Sequence, residues 1–264
     1  GILVLRGGLS GEVSGNDLTY SQGRFADSES VGFCKSLDDS EIAKYSADVL
    51  NEFVQKAHDV LKKHPVNINR VKRGLMPANY LLVRGPGVGA PKLKKYSGWL
   101  AFSYSPLEKG FAKASEMRMY SFNYPKFSKL DFYEHSRDGL SRACKNAVKV
   151  IKKNYKDYNY AYIHFKETDT PGHDNKPHEK KEMIEAIDSL FFGFLRKFCP
   201  SKKIKVLVSS DHSTPCKLKT HSADPVPVLF YDPTVSSLIR EKSFSEKEAR
   251  RGALGRFEEH ELLK

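Results

Sequence analysis

Apolar positions along the chain fall into two kinds of run, one at helical spacing and one short and continuous. Over residues 39–62, Ile42, Val49, Leu50, Phe53, Val54, Ala57, Val60 and Leu61 recur at helical spacing. Ser36 offers a cap, Asp38 and Asp39 fall in the first turn, and Pro65 stops the run. Leu140, Ala143, Ala147, Val148 and Ile151 share one side of a second predicted helix over 136–153. An amphipathic pattern over 179–197 predicts a third helix, and 106–117 a shorter one. The short runs are bounded by turn residues and predict strands at 1–9, 79–85, 96–104, 160–166, 203–210 and 225–231. Residues 10–35 are polar and read as a loop, and 120–131 carries little periodicity.

The Gly/Pro cluster from Gly85 to Pro91 is the sharpest break and divides the chain into 1–88 and 89–264. Beyond it strands alternate with helices. That order predicts an α/β fold of three layers, a mostly parallel sheet with helices on both faces. The 264 residues suffice to bury a core.

Charge alters this picture little. Lys and Arg number 44 against 32 Asp and Glu, a net +12 that favours anionic partners. The lysines are scattered in short groups, as solvated helix faces have them, and no zinc-finger or RNA-recognition signature is present, so nucleic acid is not the expected partner. Cys34, Cys144, Cys199 and Cys216 form no CxxC pair and are expected to be reduced thiols of an intracellular protein. No apolar run approaches the roughly 20 residues of a membrane span. The chain starts at Gly1 inside a predicted strand, with no initiator Met, and is expected to be part of a longer chain or to have lost a leader.

Polar residues at the mouths of buried parallel strands are where such folds place their chemistry. The strand at 160–166 runs into "ETDTPGHDNKP", where a Pro171-Gly172 turn is expected to swing Asp169 and His173 to one point. The next strand ends in Asp211-His212, and His221 sits in the following loop. One Asp-His pair at a strand end is commonly a helix cap beside a hydrogen-bonded histidine. Three such loops at neighbouring ends of one sheet point instead to divalent metal. Five ligands are about right for most of two ions, the arrangement that clamps both oxygens in phosphoryl transfer. Asp224 is expected to orient a ligand or cap a turn.

The stretches "FKETDTPGHDNKPHEKKEMIEAID", "SSDHSTPCKLKTHSADPVPVLFY", "NINRVKRGLMPANYLLVRGPG", "PLEKGFAKASEM" and "GALGR" resemble segments of archaeal-type cofactor-independent phosphoglycerate mutases, of the alkaline phosphatase superfamily. The resemblance implies an alkaline-phosphatase-like core over 89–264, preceded by the remainder of a smaller inserted α/β domain over 1–88. It implies two divalent ions (Mn²⁺, Zn²⁺, Mg²⁺ or Co²⁺), one on Asp169, His173 and His221, the other on Asp211 and His212. It implies Lys109 near the phosphate, with Arg84 and Arg73 as candidates for bidentate pairing with substrate. The implied reaction is the cytoplasmic, glycolytic interconversion of 3- and 2-phosphoglycerate through a phosphoserine. Phosphatases, sulfatases and phosphopentomutases of the superfamily share the metal set and stay open as alternatives, as does a non-catalytic relative with a structural role.

The sequence also departs from that family. Its Asp-Gly metal ligand, its nucleophilic serine and its "DRRAGR" segment have no match; the one Asp-Gly, Asp138-Gly139, lies in a predicted helix. By the resemblance, about the first two-fifths of a family member is absent, a segment that could exist as a separate piece. The chain alone is therefore expected to be inactive.

Overall fold

The computed structural model describes all residues except 18–19, 22–23, 26–30, 90, 128–130, 236–242, 259–260 and 263–264. The chain divides into two compact units, Gly1–Lys92 and Leu93–Lys264.

The first unit is built on helix α1, Glu41–Lys62, after a two-residue antiparallel pair, β1 (Tyr20–Ser21) and β2 (Arg24–Phe25). Ser40, not Ser36, caps α1, its hydroxyl accepting from the Ala43 N–H. Ser36 instead forms a β-bridge with Val13. Pro65 both stops α1 and opens α2, Pro65–Lys72, because its missing N–H costs nothing at a first helical position. Val13, Cys34 and Ala47 are buried together, with Leu50 and Val83 packed on them.

Two strand expectations fail here. Residues 1–9 form no strand, and Ile2 is 93% exposed. An apolar run without a neighbour to bond is not a strand, whatever its composition. Residues 79–85 form none either. Buried Asn16 takes the partner's place: its Oδ1 accepts from Val83 N–H at 2.8 Å, and its Nδ2 donates to the Leu81 carbonyl at 3.1 Å.

The second unit holds a three-stranded parallel sheet in the order β4-β3-β5. These are Trp99–Phe102 (β3), Arg118–Tyr120 (β4) and Tyr160–Ile163 (β5), in register Leu100↔Arg118 and Leu100↔Ala161. Helices α3 (Pro106–Ala114) and α4 (Phe132–Asn154) connect β3 to β4 and β4 to β5. Alternation along β3 sets the layers. Leu100 and Phe102 pack with Leu140, Cys144, Ala147 and Ile151 of α4, whereas Ala101 packs with Ala112 of α3 and Met117. Helices on both faces are the three layers expected. Strand β4 lies at the edge of the weakly periodic stretch. Helix α4 starts four residues earlier than the apolar pattern, since Asp131 accepts from the Tyr133 N–H at 2.7 Å and caps it there.

The chain continues as α5 (Thr170–His173), α6 (Pro177–Ile187), a π-helical segment (Asp188–Phe192), α7 (Gly193–Lys202), β6 (Val206–Val208), β7 (Leu229–Tyr231) and α8 (Glu246–Ala249). The helix read over 179–197 is thus interrupted by a π turn. Met183, Phe191, Leu195 and Cys199 bury against the α4 face. The runs at 203–210 and 225–231 do not extend the parallel sheet as expected. They pair antiparallel with each other, Val206↔Tyr231 to Val208↔Leu229, as a separate two-stranded sheet. The loop between them doubles back, so each run meets the other first.

Candidate metal centre

Asp169, His173, Asp211, His212 and His221 come together in the second unit. The Pro-Gly stretch is not an open turn but the helical turn α5. Pro171 occupies its start, and the i, i+4 spacing puts Asp169 and His173 on one face. Asp169 stands at the N-cap position, yet its side chain makes no capping bond. It turns instead toward Thr214, whose Oγ1 donates to Asp169 Oδ1 at 2.8 Å. On the β6–β7 loop a bridge between Ser213 and Ser222 pinches the chain beside His212 and His221, whose rings stack at 3.6 Å between centroids.

The distances are short. His173 Nε2 lies 3.1 Å from His221 Nε2 and 3.4 Å from Asp169 Oδ1, and His221 Nε2 lies 3.5 Å from the same oxygen. Ligand atoms of Asp169, His212 and His221 all fall within 4.8 Å of one another. Asp211 is the outermost member, its Oδ2 3.4 Å from His212 Nε2.

Proton placement follows from the neighbours. His173 Nδ1 faces the Lys219 carbonyl at 3.0 Å. A carbonyl only accepts, so the neutral ring carries its proton on Nδ1 and leaves Nε2 bare. Burial would raise the Asp169 carboxyl, but the Thr214 hydroxyl and the imidazoles of His173, His212 and His221 outweigh it and hold Asp169 below its ordinary value. Burial, with His212 and His173 alongside, pushes His221 down and favours its neutral, ligating form, although Asp169 opposes this. The donor set of imidazoles and carboxylates suits a divalent ion of the zinc or manganese kind.

Asp224 turns to its own loop, accepting from Ser222 Oγ at 2.7 Å. Lys109 is half-buried on α3, and no hydrogen bond or ion pair of its ammonium is found among the described residues. Arg84 and Arg73 belong to the first unit. Arg84 pairs with Asp17 at 3.8 Å, and Arg73 caps the end of α2. The "PAN" stretch beside them is held by Asn67, whose Nδ2 donates to the Ala78 carbonyl at 3.0 Å, and by His58, whose Nδ1 lies 2.7 Å from the Asn79 carbonyl. The pattern of candidate ligands missed Thr214 and the Lys219 carbonyl. Thr214 has one sequence signal, a hydroxyl two residues after a histidine.

Residues 107–264 match the model of the metalloenzyme superfamily, and residues 1–67 that of 2,3-bisphosphoglycerate-independent phosphoglycerate mutase. Curated proteins named 2,3-bisphosphoglycerate-independent phosphoglycerate mutase are similar over most of the chain. That of Thermococcus kodakarensis is 36% identical over 99% of this chain and 60% of its own length. That of Pyrococcus furiosus is 39% identical over 85% of this chain and 53% of its own. The chain thus spans about 60% or less of these relatives. A solved protein structure from Pyrococcus horikoshii matches 97% of the chain and 73% of its own, with a TM-score of 0.60 and 28% identity.

Proposed function

Since the chain belongs to the metalloenzyme superfamily, we propose that it is the metal-holding part of a phosphoglycerate mutase that needs no 2,3-bisphosphoglycerate. The observation that carries this reading is the convergence of imidazole nitrogens and a carboxylate oxygen on one point. The bare Nε2 of His173 and the Asp169 carboxylate converge with the Nε2 of His221, all within 3.5 Å. Asp211 and His212 extend the group. Two imidazoles and a carboxylate at such spacing are the donor set and the geometry that a divalent ion takes.

In this reading Asp169, His173 and His221 hold one divalent ion, and Asp211 and His212 hold a second, with Mn²⁺, Zn²⁺, Mg²⁺ and Co²⁺ as candidates. Bound there, the ions neutralise charge on the phosphate oxygens. The protein's own residues fix where that charge can sit. Lys109 of α3 is the candidate for the phosphate, and Arg84 and Arg73 of the first unit remain candidates for bidentate pairing with an anion. The substrates are 3- and 2-phosphoglycerate, whose negative charge suits a chain of net +12. The serine that carries the phosphoryl group stands in a part of the whole protein outside this chain, since no serine here has the nucleophile's setting. The enzyme works in the cytoplasm; all four cysteines are free thiols, and no described helix is long and apolar enough to cross a membrane.

Calorimetric titration of the 264-residue chain with Mn²⁺ and Zn²⁺ tests the site. Binding is expected, and it should be lost when Asp169 and His221 are replaced together. The whole protein, assayed through coupled enolase, should interconvert the two phosphoglycerates without 2,3-bisphosphoglycerate, stop with chelator and recover with Mn²⁺. Release of inorganic phosphate without isomerisation would replace the mutase with a phosphatase.

A further inference from the structure

Thr214 lies between the two groups of candidate ligands and is only 4% exposed. Its Oγ1 is 2.8 Å from Asp169 Oδ1 and 3.1 Å from His212 Nδ1. Its carbonyl accepts from Lys180 Nζ at 2.7 Å, which ties the residue to α6. A hydroxyl has one proton to give and lone pairs to receive with. The ionised Asp169 only accepts, so the proton goes there. Toward His212 the oxygen can then only accept; Asp211 Oδ2 also faces the ring, 3.4 Å from Nε2, but the hydrogen bond is the one at Nδ1, so His212 carries its proton there and leaves Nε2 bare.

We propose that Thr214 is the positioning residue that couples the two metal subsites, one hydroxyl orienting the carboxylate of the first and fixing the tautomer of the second. This rests on the metal reading above. The hydroxyl reaches both groups at once; the Lys180 bond anchors the backbone behind it, and the bare Gly172 leaves room for its Cβ and methyl. An ion that holds Asp169 still therefore holds His212 still, and the two ions bind cooperatively.

The test uses the 264-residue chain and two variants, Thr214→Val, which keeps the shape without the hydroxyl, and Thr214→Ser, which keeps the hydroxyl. Calorimetry with Mn²⁺ should show affinity at both subsites falling by about 10–100-fold in Thr214→Val, the range for lost outer-shell partners, and recovering in Thr214→Ser. Nitrogen NMR of the metal-free wild type should show His212 protonated on Nδ1, with the Nε2–H form appearing in Thr214→Val. Wild-type affinity at both subsites in a folded Thr214→Val overturns the proposal. So does a wild-type His212 protonated on Nε2, a result that needs neither variant to fold and no metal. If the wild-type chain binds no divalent ion while His212 has the stated tautomer, the metal reading fails and the coupling with it; if it binds ions but the tautomer is wrong, only the coupling fails.

Discussion

Gly172 and Thr214 touch so closely that a β-carbon on the glycine would lie 2.6 Å from the threonine carbonyl oxygen and 2.8 Å from its Cγ2. Neither atom is the free end of a flexible side chain. Gly172→Ala should therefore push α5 away from the β6–β7 loop and separate Asp169 from His212. Overpacking of this kind costs about 1–3 kcal/mol. Thermal unfolding should report that loss, and calorimetry a weakened Mn²⁺ site. An alanine variant with native stability and native metal affinity would show that the loop yields.

His221 is the member that both Asp169 and His173 face. His221→Ala is expected to remove one ion per chain, read as metal content after gel filtration. His173→Ala should do the same. If either variant retained the wild-type metal content, the assignment of that histidine would be wrong.

Acid should loosen the β6–β7 pair before the parallel sheet. Lys205 and Asp232 close its end at 2.8 Å, just outside the Val206↔Tyr231 rung. The Lys205 ammonium, helped by the hydroxyl and N–H of Thr234, lowers the Asp232 carboxyl to about 2. A folded value below the unfolded one means the pair stabilises fully above the unfolded carboxylate value of about 3.9 and is lost as pH falls toward about 2. Urea unfolding across that window should show the decline, and Asp232→Asn should flatten it.

In the proposed reading, turnover needs a serine from outside this chain. The 264-residue chain is expected to bind metal yet show no turnover in the coupled enolase assay with Mn²⁺. Clear activity from this chain would place the phosphoryl-carrying serine within it.

Asn16 should matter to the first unit more than its polarity suggests. Asn16→Ala strands the Val83 N–H and the Leu81 carbonyl that its side chain serves. A cost of about 1–3 kcal/mol is expected for a buried group left unbonded, measurable by urea unfolding.

These residues also mark what a sequence can disclose. The layered α/β core was legible because Leu100, Phe102 and the α4 stripe bury by plain alternation and helical spacing. The candidate ligands were legible as Asp and His after apolar runs, although β5 and β6 belong to two sheets and not, as expected, to one. Partner choice was not. Residues 79–85 have strand composition, but Asn16, more than sixty positions away, claims their backbone. Residues 203–210 and 225–231 look alike whether they join a parallel sheet or each other, since composition carries no information about neighbours. Ser36 is a sound cap on paper, but it bridges to Val13, and Ser40 caps α1 instead. Thr214 left only its spacing from His212 as a signal, because its role depends on three groups from α5, α6 and its own loop.

The π turn at Asp188–Phe192 has a consequence for the length of the chain. Met183 and Leu195 are twelve positions apart, which in an unbroken helix of about 3.6 residues per turn would set them about 120° apart. One residue looped out makes the effective separation eleven, about 20°, and both face the core. The segment thus carries one residue more than its geometry needs. Deleting exposed Ser189 should leave an ordinary α-helix with Leu195 and Cys199 still buried, whereas the same deletion within α4 would rotate half its core stripe into water.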